Sequence, residues 1–99
     1  MSTSTRVEFW ESDKPAKKLK AVFSFADGRK KTVHFGARGM SDYTLHKDPE
    51  RKARYMARHV FSEHWDRFDT AGALSRWVLW NKPTLAASIA DYKKRFKLR

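Results

Sequence analysis

Between residues 19 and 35 the chain carries an alternation that admits few folds. Leu19, Ala21, Phe23 and Phe25 alternate with Lys20, Val22 and Ser24, and Val33 and Phe35 alternate with Thr32 and His34. Successive side chains of a strand point to opposite faces, so this pattern specifies two strands sharing one apolar face. Ala26-Asp27-Gly28 lies between them, and parity separates the two available turns. A two-residue Asp-Gly turn sets Phe23 opposite Thr32 and Phe25 opposite Lys30, which mixes the faces. A three-residue connection with Gly28 in the left-handed region pairs odd positions with odd positions. The bulged turn is therefore expected, because a one-residue slip turns every side chain over. It gives a hairpin over 19–36 with Lys18, Lys20, Ser24, Lys30, Thr32 and His34 on the polar face.

The flanking sequence completes an α+β reading. Residues 1–5 are small and polar and read as a loose end. Residues 6–11 alternate weakly and can add a third strand, followed by a loop over 12–18 with Pro15 and three lysines. Residues 40–46 have no clear period and read as an ordered loop, with Asp42 suited to an Asx turn. Three helices follow, at about 49–63, 70–80 and 84–97. The first opens on Asp48 as N-cap with Pro49 behind it, and places Tyr55, Met56, His59 and Val60 inward. Asp69 or Thr70 caps the second, whose apolar side is Ala71, Leu74, Trp77 and Val78. In the third, Leu85, Ile89, Tyr92 and Phe96 recur at helical spacing. The expected architecture is one domain, a small antiparallel sheet with three helices packed on its apolar face.

Charge sets the functional expectation. Twenty-two Lys and Arg stand against 11 Asp and Glu in 99 residues, a net charge of +11. Such self-repulsion in a small domain calls for an anionic partner. Seven Phe, four Trp and three Tyr argue against a disordered basic tail, which would have nothing to bury. The absence of Cys excludes disulfides, thiolate zinc sites and a cysteine nucleophile. The longest strongly apolar run, Trp77 to Trp80, is far short of the roughly 20 residues that cross a bilayer, so no membrane partner is expected. No apolar leader segment is seen near Met1.

Several segments from Val33 onward carry a resemblance. They are Val33-His-Phe-Gly-Ala37, Ser41-Asp-Tyr-Thr44, His46-Lys-Asp-Pro-Glu-Arg-Lys52, Arg58-His59, Thr70-Ala-Gly-Ala-Leu-Ser-Arg-Trp77, Leu79-Trp-Asn-Lys-Pro-Thr-Leu85 and Ser88-Ile-Ala-Asp-Tyr-Lys-Lys-Arg-Phe96. Over about two-thirds of its length the chain resembles the small, basic, uncharacterised proteins encoded by large DNA viruses of algae and protists. The first 17 residues lie outside that pattern. The resemblance implies a viral setting, with residence in the virion and in the host nucleus or cytoplasm during infection. It implies no activity.

The residues expected to grip phosphate are Lys18, Lys20 and Lys30 of the hairpin, Arg51, Arg54 and Arg58 on one stripe of the first helix, and Arg76 and Lys82. The C-terminal cluster Lys93, Lys94, Arg95 and Lys97 completes the set. Nucleic acid is the expected partner, DNA ahead of RNA, with acidic capsid proteins as the alternative. No base-reading signature is present. Helices two and three can mimic a helix-turn-helix, with Lys82, Thr84, Ser88 and Lys93 toward DNA, but an ordinary α-hairpin is expected. Trp77 and Trp80 can stack bases, yet core burial of both is the simpler outcome. His46, His59 and His64 lie near carboxylates in sequence without metal-ligand spacing, and His59 reads as a buried, hydrogen-bonded residue. No G-x-S-x-G elbow or P-loop occurs. No catalytic residue, metal or cofactor is expected.

Overall fold

The hairpin closes with the three-residue connection. In the computed structural model, which describes residues 5–61 and 63–99, the Phe25 N–H donates to the Arg29 carbonyl at 2.9 Å and the Gly28 N–H to the Phe25 carbonyl at 3.0 Å. Gly28 sits at φ +90°, a region only glycine enters without steric cost. The Asp27 carboxylate fixes the corner by accepting from the Arg29 N–H at 3.0 Å and Nε at 2.6 Å. Strand β2 (Lys17–Ser24) thus pairs antiparallel with β3 (Lys30–Ala37), Ala21 opposite Val33 and Leu19 opposite Phe35. Strand β1 (Arg6–Glu11) joins the other side of β2 with Val7 opposite Phe23, giving the order β1-β2-β3.

Odd positions of all three strands therefore share one face. Val7, Ala21, Phe23 and Phe35 are buried there. Residues 1–4 lie outside the described residues, but Thr5, grouped with the loose end by composition, is held. Its carbonyl accepts from the Arg99 N–H at 3.0 Å, and the Val7 N–H donates to the Arg99 carbonyl at 2.9 Å. This short pairing covers part of the β1 edge and seats Leu98 in the core.

Four α-helices follow among the described residues. The segment expected to be a loop contains a one-turn helix, α1 (Tyr43–His46), because Asp42 caps it by accepting from the Thr44 N–H at 2.9 Å. Helix α2 (Pro49–His59) starts at Asp48 and Pro49 as expected but stops four residues before Glu63. The chain turns there, and the Glu63 carboxylate returns to His59 Nδ1 and Trp65 Nε1, each at 2.8 Å. Thr70 caps α3 (Ala71–Leu74), which continues into a π-helical segment (Ser75–Leu79) instead of remaining α-helical to Trp80. The Trp80 N–H reaches five residues back to the Ser75 carbonyl at 3.0 Å, and Arg76 Nη1 donates to the freed Trp80 carbonyl at 3.0 Å. Thr84 caps α4 (Leu85–Phe96), and Lys97 at φ +56° ends it.

Leu74, Val78, Leu79 and Tyr92 from these helices close the core over the odd face. Fully burying a Val, Leu or Phe side chain stabilises by about 1.5–3 kcal/mol. Tyr92, with no exposed surface, keeps its hydroxyl satisfied by donating to the Phe68 carbonyl at 2.6 Å. In α4 the buried positions are Ser88 and Tyr92, whereas Leu85 at the stripe's start is exposed. Helix α2 is tied in by an aromatic stack running His46, Trp80, Tyr55, His59, with Tyr55 and Trp80 parallel at 4.3 Å. No helix among the described residues is long and apolar enough to cross a membrane.

The backbone of β3 is close to the helical layer at Gly36, whose φ is +79°. A Cβ there would lie 2.7 Å from Leu79 Cδ1, and Leu79 is itself buried. Gly36→Ala is expected to destabilise the fold by about 2 kcal/mol, through overpacking and backbone strain together. The urea midpoint of the variant measures this.

Candidate nucleic-acid interface

The basic residues separate into engaged and available groups. Lys18, assigned by parity to the outer face, reaches the buried Asp42 at 2.5 Å. Asp42 also accepts from the Thr44 N–H and hydroxyl, so it is a structural hub and Lys18 its counter-charge. Arg76 is the second departure. It is buried, its guanidinium sits 4.2 Å over the Trp77 ring, and its Nη1 caps the π-helical segment. Neither side chain is presented to a phosphate in this arrangement, because each serves a partner brought from elsewhere in the fold.

Lys20 lies 3.6 Å from Asp13, Arg54 3.9 Å from Glu50 and Arg95 3.3 Å from Asp91. These pairs are solvated and weak, and they leave donors available. Lys30, Arg51, Arg58, Lys82, Lys94 and Lys97 are exposed, and no ion pair engages them among the described residues. Lys93 is half-buried. Arg51, Arg54 and Arg58 do share one flank of α2, as their spacing predicts.

A cluster absent from the sequence reading forms where α2 meets the linker before α4. Lys52 Nζ donates to the Asn81 carbonyl at 2.7 Å, and its ring-facing contact is Tyr43 at 4.9 Å. Burial, with the positive charges of Arg76 and Lys82, holds the Lys52 ammonium below the ordinary lysine value. Arg76 is lowered by burial and then by Arg95. Four cations from four segments thus repel one another, and Asp91 is the nearby carboxylate that offsets them. The i,i+4 arithmetic of any one helix gives no sign of such a cluster.

The aromatic and hydroxyl candidates resolve clearly. Trp77 is packed against Phe96 and held between Arg76 and Arg95, its Nε1 donating to the Trp65 carbonyl at 2.9 Å. Trp80 is engaged by Tyr55 and His46, so neither indole of this pair offers a free stacking face. Ser88, a candidate DNA-facing residue, is fully buried and accepts from the Lys82 N–H at 2.9 Å. The π-helical segment and α4 form an α-hairpin-like pair whose linker is locked by that bond.

A cleft of about 390 Å³ opens beside α2, with Asp42, Tyr55, His59, Glu63 and Ser75 among its lining and Lys17 and Arg58 bringing positive charge to it. Its size suits a small ligand. The Tyr55 phenol is raised by burial and then by Glu63, which keeps it protonated. His59 is half-exposed, not fully buried, and bonds Glu63. His46 accepts from the Asp48 N–H at 2.9 Å on Nδ1, which leaves its proton on the buried Nε2. Among the described residues no group of three His, Asp or Glu side chains is placed to hold a metal ion.

Two measurements check these assignments. Asp42→Ala removes both the counter-charge of Lys18 and the α1 cap, and is expected to cost about 3 kcal/mol in chemical denaturation. Asp91 is held below the ordinary 3.8 by the Asn81 side-chain amide and then by Arg95. Its folded value is the lower one, so its stabilisation is present at neutral pH and is lost as pH falls below 3.8. Asp91→Asn is expected to lower stability at neutral pH and to flatten the acid limb of the stability profile, read from thermal midpoints across pH.

Comparison with known proteins adds one assignment. No curated protein and no solved structure matches the chain. Residues 7–59, from β1 through the end of α2, match the Family of unknown function (DUF5754). That stretch includes β1 from Val7 on, which the sequence resemblance left outside, together with Asp42, Lys52 and the arginine flank. With more than half its length matched, the chain belongs to the Family of unknown function (DUF5754).

Proposed function

We propose that this chain is a non-enzymatic module that binds nucleic acid, DNA ahead of RNA, through phosphate contacts with little sequence preference. The observation that carries the reading is the residue of charge left after ion pairing. Arg51 and Arg58 on one flank of α2, Lys82 in the linker, and Lys94 and Lys97 at the end of α4 are exposed and in no ion pair among the described residues. The Lys52, Arg76, Lys82 and Arg95 cluster adds repulsion that a polyanion would relieve. The proposal extends to packaging with a genome in a virion, a setting that rests on the sequence resemblance alone.

A second reading has its own support. Phe61 is 98% exposed, and Met40 and Leu45 are also exposed large apolar residues. Protein interfaces are enriched in aromatics, Met and Arg. A minor capsid or cement-type protein that meets acidic shell proteins would use both the charge and these side chains. Retention on emptied particles after nuclease treatment supports that role, and release with the digested genome supports the first.

The leading proposal is tested by the salt dependence of duplex DNA binding. Affinity is expected to fall linearly in log–log form, with a slope of about −0.9 per phosphate neutralised. The double variant Arg51→Ala, Arg58→Ala is expected to reduce the magnitude of that slope by about 1.8. Absence of binding at low ionic strength overturns the proposal.

A further inference from the structure

Among the described residues the helices pack on the odd face and reach the even positions at Lys18 and Gly36, and the rest of the even face has its own organisation. Register places Trp10, Lys20 and His34 in one row across the three strands, and Arg6, Ser24 and Lys30 in another. Between them runs Glu8, Val22 and Thr32. Trp10 is 56% exposed, the one exposed indole among the described residues, and no ring contact engages it there. The other three are occupied: Trp65 donates to Glu63, Trp77 lies between two guanidinium groups, and Trp80 stacks on Tyr55.

Charge frames this indole. Lys20 shares its row, with its ammonium 3.6 Å from the exposed Asp13 carboxylate. Arg6 and Lys30, both exposed and in no ion pair among the described residues, close the far row. Glu8 and Asp13 are the opposing charges, and they leave the face positive. His34, at the far end of the row that Trp10 opens, is bonded to Ser12 Oγ at 2.8 Å. From Trp10 to Arg6 is four residues of strand, about 13 Å.

We propose that this open sheet face binds single-stranded nucleic acid, with an unpaired base stacked on Trp10 and backbone phosphates on Lys20, Arg6 and Lys30. An indole exposed on a sheet face meets a base only where that base is unstacked from its neighbours, which a duplex does not offer. Val22, diagonal to Trp10 on the neighbouring strand, is a smaller side chain than the indole. The inference rests on the nucleic-acid reading and adds the strand state of the ligand and the surface that takes it. It is separate from the arginine flank of α2, which lies on the helical layer and not on the sheet.

The test compares the full chain with Trp10→Ala, Trp10→Phe and the double variant Arg6→Ala, Lys30→Ala. Fluorescence anisotropy is read on a labelled short oligothymidylate and on a labelled duplex at one salt concentration. Trp10→Ala is expected to weaken oligothymidylate binding about tenfold, within the range for loss of one stacked base, and to leave duplex binding unchanged. Trp10→Phe is expected to retain most of the affinity, and the double variant to lower the salt slope on the single strand. Circular dichroism verifies folding, which an exposed position leaves intact. Unchanged oligothymidylate affinity in Trp10→Ala, or an equal loss on duplex, overturns the inference while the broader proposal stands. Failure of the unmodified protein to bind either probe overturns both.

Discussion

The structure depends on the odd-with-odd pairing set by the turn at Gly28. Because that glycine accepts a left-handed conformation, Phe25 faces Arg29 and the parity of β2 carries over into β3. One face then holds Val7, Ala21, Phe23 and Phe35, and a helical layer has a surface to bury against. The other face holds only what the core has no use for. The separation of an apolar, covered side from a polar, open side follows from a single three-residue connection. Everything proposed about function lies on surfaces that this separation leaves free.

Electrostatics is organised by scarcity of carboxylates. Eleven acids serve 22 cations, and several of those acids hold structural positions. Asp42 caps α1 and neutralises Lys18, Asp91 anchors Asn81 and Arg95, and Asp69 meets Lys31. Cations beyond those remain on the outside, or are forced together as Lys52, Arg76, Lys82 and Arg95 are. Aromatic rings absorb part of that repulsion: Arg76 and Arg95 flank Trp77, and Lys52 sits over Tyr43. Such contacts stabilise a charge without neutralising it. The net field stays positive and available to a polyanion.

Local signals were legible where the chemistry is local. Alternation gave the strands, the Asp-Gly corner gave the turn, and Asp48-Pro49 and Thr84 gave two helix starts, because each involves neighbours within four residues. Interactions between distant segments were hidden. Asp42 read as an Asx turn, and it is one, but its partner Lys18 lies 24 residues away. Arg76 read as a surface cation because its spacing says nothing of the Trp80 carbonyl it must cap. The π-helical segment was invisible for a related reason, since its widened turn is compatible with the same residues as an α-helix. The orientation of Trp10 depends on the register of β1, which the loop before β2 leaves open.

By itself, then, the amino-acid sequence determined the α+β class, the hairpin register, the starts of the three longer helical segments and the excess of positive charge. These follow from periodicity, steric limits at Gly28 and Pro49, and composition, all properties of short stretches. The tertiary structure decided which cations are spent and which are free, which indoles are packed and which one stands in solvent, and where like charges meet. Those outcomes require knowing what lies opposite each side chain across the fold. Packing in a small core commits Trp77, Trp80 and Arg76 to the interior and leaves Trp10, Arg51 and Arg58 outside, and only closure of the helical layer over the sheet fixes that partition.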